Sequence, residues 1–318
     1  MLACAVLTHL LIVNPHAGRG LGSKRRRQAE RCLDTAGLAY EVYLTSGPGD
    51  ARRVAEEEAS RYSVIVAMGG DGTIQEVAGG LAAARLARGA AEGPPLAALG
   101  ILPAGTGNDL IKSLRLPAEL DAACRTLVAG RRRDLDLGRI RWRLASAEGA
   151  RERIFVNNVG LGFEGQVGWE AYHLRTPLRG MPLYLLALLR VLPRLVNPPM
   201  ALTIDGEARP PQPALLLSVG NGHTSGGGFK LNPGANPFDG KFDYCLADAR
   251  GKLEVLRLLP RGMKGRHLGL AGVHSGRAER IAVTSARPFH GHADGELLGE
   301  DVVEATLELL PGLLPTIC

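Results

Sequence analysis

The sequence is poor in aromatic residues and in cysteines. Aromatic residues make up 4% of its 318 residues, and neither an RNP-like motif nor a zinc-binding motif occurs, so nucleic acid is not an expected partner. The five cysteines are scattered and none stands in a CxxC spacing, which argues against a disulfide framework and against a zinc site. This cysteine usage fits a reducing cytoplasm.

The sequence also lacks an uninterrupted apolar run that could span a bilayer. Its most apolar stretch, residues 181–196, contains Arg190 and Arg194 and is shorter than the roughly 20 residues of a spanning helix. Residues 2–13 are apolar, but no basic segment precedes them, so we expect a buried first strand and not a signal peptide. These features predict a cytoplasmic protein.

The charge of the chain lies on the basic side. A net charge of +6 and an isoelectric point of about 9.2 favour anionic partners such as nucleotides or an acidic lipid surface. A Walker loop of the form GxxxxGK[ST] is missing, so a P-loop mechanism is not expected.

The apolar stretch at 181–196 allows two interpretations. It is either a helix buried against a second domain, or a wall of a lipid groove whose arginines meet headgroup phosphates.

The pattern of apolar segments predicts two domains. With 45% hydrophobic and 22% charged residues, the chain is typical of a globular protein, and its length suits two domains. Residues 1–133 alternate between apolar runs and helical stretches, which predicts a parallel sheet covered by helices on both faces. From residue 134 onwards most segments alternate polar and apolar residues, as the half-buried strands of an antiparallel sheet do.

Three glycine-bearing loops follow apolar strands of the first domain, at residues 14–20, 69–73 and 103–109. The carboxyl ends of parallel strands are where ligands bind such sheets. In the GGDGT loop, the glycines allow close approach of a phosphate, Thr73 can cap the following helix, and Asp71 can hold a magnesium ion. An ordinary turn is the alternative, but the PAGTGND loop has the same design and supports a shared nucleotide site.

These motifs resemble a known family. NPxxG, GGDGT and PAGTGND, in this order, are similar to the catalytic domain of diacylglycerol kinases and sphingosine kinases. The resemblance continues through Asn157-Asn158-Val159-Gly160, the GGG segment at 226–228, the DGKFD segment at 239–243 and Asp294-Gly295-Glu296. It implies an N-terminal α/β domain at 1–133, resembling NAD kinase and phosphofructokinase, and a mainly antiparallel β-sandwich domain at 134–300. A tail at about 301–318 is expected to return to the first domain.

The resemblance also implies an activity. The expected reaction is transfer of a phosphoryl group from ATP, with Mg²⁺, to a membrane lipid hydroxyl, with diacylglycerol as the default acceptor. Such a protein would be peripheral to the membrane and would touch its anionic surface transiently. The residues implied in nucleotide binding are Asn14, Pro15, Gly18, Thr45, Gly69, Gly70, Asp71, Gly72, Thr73, Gln75, Glu76, Gly105, Thr106, Asn108 and Asp109.

Further residues receive roles from the same resemblance. Asp294 or Glu296 would be the general base, although on sequence alone Asp294-Gly295 is equally well a bare hairpin turn. Asp239, with the carbonyl groups of Asn236 and Lys241, resembles a structural magnesium site, and a bare turn is again the alternative.

Some positions depart from the family pattern, and other functions stay open. Ala17 replaces the usual Ser and Gln75 the usual Asn. His290 and His292 precede the DGE motif in an unusual way, and we expect them in a surface turn. Two other functions remain open: a kinase of a soluble acceptor, like NAD kinase, and a nucleotide-binding regulator without catalysis. The oligomeric state, a homodimer included, is not decided by the sequence.

Overall fold

A computed structural model describes residues 9–20, 22–89, 93–105 and 107–318. The chain divides into two compact units, between Leu135 and Asp136. The first unit also contains Gly312–Cys318, and the second unit ends at Pro311. The segment that returns to the first unit is therefore shorter than the predicted 301–318. Each unit is described separately below.

The first unit is built on parallel strands. Its strands are β1 (His9–Val13), β2 (Tyr40–Leu44), β3 (Val64–Gly69) and β4 (Ala98–Pro103). Its helices are α1 (Ala17–Gly20), α2 (Gly22–Thr35), α3 (Asp50–Glu57), α4 (Asp71–Arg88), α5 (Asp109–Ser113) and α6 (Leu120–Ala129). The strands pair in parallel in the order β2-β1-β3-β4. Every residue of β3 and β4 is buried, as expected for central strands covered on both faces.

The parallel order places the strand ends where a site can form. Because β1, β3 and β4 run in the same direction, the loops that follow them leave the sheet at one edge. Beyond β4, Thr316 near the C-terminus pairs in parallel with Leu99. The core below the loops is formed by Leu11, Val66 and Met68, with Leu33 of α2 and Leu127 of α6 packed against them.

The second unit is mainly antiparallel. Its strands are β5 (Arg132–Leu144), β6 (Arg151–Phe155), β7 (Asn158–Gly162), β8 (Pro199–Ile204), β9 (Glu207–Gly220), β10 (Phe242–Asp248), β11 (Val273–Ala278), β12 (Arg280–Ala293) and β13 (Glu296–Ile317), of which β5 and β13 also extend beyond it. The main order is β11-β10-β9-β7-β12-β13. Phe155 and Phe242 stack in its core with ring centroids 5.4 Å apart.

Helices cover part of this unit. They are α7 (Phe163–His173), α8 (Met181–Val191) and α9 (Lys252–Met263). Phe163, Leu188 and Val255, one from each helix, belong to one buried cluster with Leu216 of β9. The sequence did not lead us to expect α9. Its start is fixed by Glu254, whose carboxylate accepts the backbone N–H of Gly251 at 2.8 Å. None of the helices described combines the length and apolar character needed to cross a membrane.

Candidate functional site

The GGDGT and PAGTGND loops touch each other at the edge of the first unit. The backbone N–H of Ala104 donates to the carbonyl oxygen of Gly69 at 2.8 Å. A Cβ atom on Gly105 would lie 2.5 Å from the Cα atom of Gly70, which is closer than non-bonded carbon atoms approach. Glycine at both positions therefore allows the two loops to pack backbone against backbone.

Asp71 lies between these loops, at the start of α4. Its Oδ1 atom accepts the backbone N–H of Leu110 at 3.4 Å. A Cβ atom on Gly107 would lie 2.7 Å from Asp71 Oδ2, so the second loop closes over the carboxylate. Burial is the main cause that raises the pKa of Asp71 to about 6, and repulsion from the Asp109 carboxylate adds to it. The site thus concentrates negative charge in a partly buried place.

The oxygen atoms around Asp71 suit a divalent cation. Asn108 has a left-handed backbone with φ 53°, and its buried Oδ1 atom has no hydrogen-bond partner. The carboxylates of Asp71 and Asp109 offer oxygen ligands of the kind that Mg²⁺ prefers, and Lys112 Nζ lies 3.3 Å from Asp109 Oδ1. No group of three or more His, Cys, Asp or Glu side chains in the described ranges could hold a metal.

The first glycine-bearing loop joins the same edge. Asn14 Nδ2 donates to Thr73 Oγ1 at 3.2 Å, and Asn14 Oδ1 accepts the backbone N–H of His16 at 2.9 Å. The backbone N–H of Thr45 donates to the carbonyl oxygen of Val13 at 2.9 Å. The structure therefore brings Asn14, Thr73 and Thr45 to the strand ends that also carry Asp71.

Some residues predicted to bind the nucleotide are not seen among these loop contacts. Both carboxylate oxygens of Glu76 accept backbone N–H groups at the start of α3, from Gly49 at 2.9 Å and from Ala51 at 3.2 Å. This contact joins α4 to α3, so Glu76 has a structural role here. Gln75 is half-buried on α4. Thr106 lies outside the described residues.

Arg25 is a neighbour of the site that the sequence did not single out. Its Nη1 atom donates to the carbonyl oxygen of Pro103 at 3.3 Å, which places a guanidinium beside the second loop. The only sequence signal was the basic run at residues 24–27, and such runs are usually solvated helix ends.

Asp294 is the centre of a polar site in the second unit. It lies in the turn between β12 and β13 with φ 54°, and Gly295 follows with φ 83°. Its buried carboxylate accepts the backbone N–H groups of Val156 at 2.6 Å and of Asn157 and Asn158 at 2.8 Å each. Burial raises the pKa of the Asp294 carboxyl, and the three amide hydrogen bonds oppose this effect. The residue is thus both part of a hairpin turn and firmly oriented.

Glu296, the other candidate base, has a different environment. Its side chain is 60% exposed, and the carboxylate lies 3.7 Å from Arg153 Nη1. Of the two carboxylates of the DGE motif, Asp294 is the less exposed, and backbone amides hold it in one orientation.

His292 and Glu164 form a buried pair beside Asp294. The expectation of a surface turn at the two histidines is wrong, because both lie in β12 and His292 is 5% exposed. His292 Nε2 is 3.7 Å from Glu164 Oε1, which also accepts Asn158 Nδ2 at 3.3 Å. A Cβ atom on Gly160 would lie 2.5 Å from both side chains. Gly160 is a weak sequence signal for this pair, since a glycine in a strand marks a close approach.

The predicted magnesium site at Asp239 contains an internal cation. The Arg277 guanidinium contacts the Asp239 carboxylate, and its Nε atom lies 3.8 Å from Asp243 Oδ2. Lys241 Nζ pairs with Glu279 at 2.8 Å, and Asn236 is exposed. The Arg277 guanidinium neutralises part of this charge, while Asp243 Oδ2 is buried without a hydrogen-bond partner, so the magnesium site at Asp239 stays a prediction.

Comparison with known proteins gives matches along nearly the whole chain. The model of the diacylglycerol kinase catalytic domain matches residues 8–140. The model described as YegS C-terminal NAD kinase beta sandwich-like domain matches residues 157–318. The diacylglycerol kinase of Bacillus subtilis (strain 168) is 28% identical over 295 residues, 91% of this chain and 89% of that protein. The diacylglycerol kinase of Mycobacterium tuberculosis (strain CDC 1551 / Oshkosh) is 30% identical, over 90% of this chain and 87% of that protein.

A solved structure has the same fold. The crystal structure of a diacylglycerol kinase from Bacillus anthracis str. Sterne superposes with a TM-score of 0.70 at 22% identity, covering 99% of this chain and 98% of that chain. The predicted fold class, an α/β domain followed by a mainly antiparallel β-sandwich domain, is confirmed.

Proposed function

The chain belongs to the diacylglycerol kinase family, and on this basis we propose that it transfers the γ-phosphoryl group of ATP, with Mg²⁺, to a lipid hydroxyl. Family membership makes it a kinase that acts on an alcohol group. Diacylglycerol is the acceptor we expect, because it is named for relatives that match over most of their length. The observation that carries the proposal is the contact between the GGDGT and PAGTGND loops around Asp71.

The first unit would hold the nucleotide. The glycine-rich backbone and the positive N-terminal end of α4 favour phosphate groups at this edge. Asp71, Asn108 and Asp109 are the residues that would hold Mg²⁺, which neutralises phosphate charge when it is bound. Asn14 and Thr73 fix each other through their side-chain hydrogen bond, so the wall formed by the first loop keeps its shape before nucleotide binds.

The second unit would supply the base. A carboxylate that accepts the proton of an alcohol is more effective when its pKa is raised toward the working pH. Burial raises the pKa of Asp294, and the three backbone amides hold its carboxylate in one orientation. Asp294 is therefore the better candidate for taking the proton from the lipid hydroxyl, and exposed Glu296 the weaker one.

A soluble acceptor is the second candidate. It is favoured by the match of residues 157–318 to a domain described as NAD kinase beta sandwich-like. For the lipid acceptor, the protein would work in the cytoplasm, peripheral to the membrane.

Phosphate transfer from labelled ATP with Mg²⁺ tests the proposal. The purified chain is offered micellar diacylglycerol, phosphatidylglycerol, sphingosine and ceramide, and separately NAD. We expect labelled diacylglycerol with wild type and with Glu57→Ala, which changes an exposed carboxylate of α3, and none with Asp71→Ala. If NAD is the only compound that becomes labelled, the protein is a kinase of a soluble acceptor. ATP binding without any labelled product would contradict a kinase of these acceptors.

A further inference from the structure

His292 lies directly beside the turn that carries Asp294. Its imidazole Nδ1 atom accepts the backbone N–H of Gly295 at 3.4 Å. The residue is 5% exposed, and a Cβ atom on Gly168 of α7 would lie 2.9 Å from its Cδ2 atom. The ring is therefore packed closely against α7, and one of its two nitrogen atoms contacts the turn.

Glu164 faces the other nitrogen atom of this ring. Glu164 Oε1 lies 3.7 Å from His292 Nε2, and it accepts Asn158 Nδ2 at 3.3 Å. Asn158 is itself bound to the turn. Its backbone N–H donates to Asp294 Oδ1, and its carbonyl oxygen accepts the backbone N–H of Asp294, both at 2.8 Å. Glu164 thus contacts two residues that hold the Asp294 turn.

The position of Glu164 selects the form of the imidazole. In a neutral histidine, one ring nitrogen donates a hydrogen bond and the other accepts one. A carboxylate beside Nε2 favours a hydrogen on that atom, because a lone pair facing the carboxylate would be repelled. Nδ1 then carries a lone pair and accepts the N–H of Gly295. Glu164 and His292 therefore act together, since the carboxylate sets which ring nitrogen is the acceptor.

We propose that His292, oriented by Glu164, is a positioning residue that holds the Asp294 carboxylate ready to accept the proton of the acceptor hydroxyl. The inference rests on the proposed function, in which Asp294 is the base. The alternative is that His292 only fills space in the core. Against it, Glu164 Oε2 is buried without a hydrogen-bond partner, an arrangement that costs stability and therefore calls for a role.

Two substitutions of His292 separate positioning from packing. His292→Leu removes the acceptor and keeps a side chain of similar bulk, whereas His292→Asn places an acceptor oxygen near the position of Nδ1. We expect His292→Leu to lower kcat by about tenfold or more, because the carboxylate loses its alignment. The KM values for ATP and diacylglycerol should change by less than about twofold. His292→Asn should recover kcat to within roughly threefold of wild type.

Val283→Ala is the matched control for these variants. It shortens a fully buried side chain of the same strand, nine positions before His292. It should lower the melting temperature and leave kcat unchanged. Equal kcat values for His292→Leu and wild type would overturn the proposal. So would a loss that His292→Asn does not recover, because His292 would then act through packing alone.

The imidazole also gives a test that needs no activity. Nitrogen-15 NMR of wild type at about pH 8 should show His292 with its hydrogen on Nε2 and with Nδ1 unprotonated. Glu164→Gln removes the charge beside Nε2 and should move part of the hydrogen to Nδ1. In His292→Leu, the backbone amide of Gly295 should exchange with solvent about tenfold faster than in wild type.

These measurements separate the inference from the proposed function. If wild type shows the expected imidazole form and exchange rates but phosphorylates no acceptor, His292 still holds the Asp294 turn and the proposed function fails. If wild type phosphorylates a lipid while its His292 carries the hydrogen on Nδ1, the inference is overturned and the proposed function stands.

Discussion

The two units each hold a partly buried carboxylate in a glycine-bearing turn, but they stabilise its charge differently. In the first unit, the Asp71 carboxylate accepts the backbone N–H of Leu110 at a long 3.4 Å, with further backbone hydrogen bonds from Asn108 and Asp109, and it is repelled by the Asp109 carboxylate. In the second, the Asp294 carboxylate accepts three short hydrogen bonds of 2.6 to 2.8 Å from backbone amides. Asp71 is thus left with negative charge that an incoming cation can neutralise. Asp294 is oriented by the protein alone and needs no ligand to be in place.

Glycine also serves the two units differently. In the first, Gly70 and Gly105 let two backbones approach, and the exposed amide groups of such a turn would suit the phosphate of the proposed nucleotide. In the second, Gly160 makes room for the buried side chains of Glu164 and His292 beside the Asp294 turn. One set of glycines shapes a place for a ligand, and the other lets polar side chains pack inside the protein.

The largest expected effect is on catalysis. Asp294→Asn should lower kcat by roughly 10²–10⁴, the usual loss of a general base, without changing the affinity for ATP with Mg²⁺. Asp71→Asn should also lower the rate strongly, but with a higher Mg²⁺ concentration needed for half-maximal rate. Initial rates across Mg²⁺ concentrations, with calorimetry of nucleotide binding, distinguish the two. If Asp294→Asn weakens nucleotide binding as much as Asp71→Asn does, the proposed division of roles is wrong.

Glu296→Gln is the control for this comparison. Because the Glu296 side chain is 60% exposed, its loss should change kcat by less than about tenfold. A loss comparable to that of Asp294→Asn would identify Glu296 as the base.

The second effect is on stability, and it should have opposite signs in the two units. The folded-state pKa of Asp71 is raised to about 6, so the folded protein binds more protons than the unfolded chain between pH 4 and pH 6. The free energy of unfolding therefore falls as pH rises through this window. Asp71→Asn removes this loss and should stabilise the protein above pH 6, by about 3 kcal/mol at most.

Burial raises the pKa of Asp294 as well, so Asp294→Asn also removes a cost of burying charge. The loss of its short hydrogen bonds should outweigh this gain, and the variant should be destabilised at neutral pH by roughly 2–4 kcal/mol. An amide group has one acceptor oxygen, so its NH₂ group would face at least one of the three backbone N–H donors. Denaturant unfolding of wild type and both variants from pH 4 to pH 8 measures the two effects. If both substitutions change the free energy of unfolding in the same direction, the two carboxylates are not stabilised differently.

Sequence patterns predicted the main elements of both units. Apolar runs followed by glycine-bearing loops predicted β3 and β4, because a central parallel strand is apolar throughout. Alternation marked β12 at residues 280–284, where burial alternates along the strand. It also marked β10 at residues 241–246, although five of the seven residues of this strand are buried. These patterns did not predict which side chains contact each other. Nothing local in the sequence pairs Glu164 with His292, or Arg277 with Asp239, because the sheet register and helix packing bring them together.

The residues assigned to nucleotide binding rest on linear motifs, and a motif does not determine where each side chain points. Asp71, Asn14 and Thr73 lie at one edge because the parallel sheet requires their loops to be there. Glu76 belongs to the same motif in sequence, but five residues beyond Asp71 the helix has turned its side chain toward α3. A linear motif cannot distinguish residues at the sheet edge, such as Asp71 and Thr73, from Glu76, which contacts α3, because all of them are close in the chain.

Glu76 gives the smallest and most discriminating effect. Its carboxylate accepts the N–H groups of Gly49 and Ala51, so Glu76→Ala should lower the free energy of unfolding by about 1 kcal/mol, the usual loss of a helix cap. The KM for ATP should change by less than about twofold, because the carboxylate is already engaged within the first unit. Glu57→Ala, at the exposed end of α3, should leave both quantities unchanged. A raised KM with unchanged stability would instead make Glu76 a nucleotide ligand, and it would then belong functionally with Asp71.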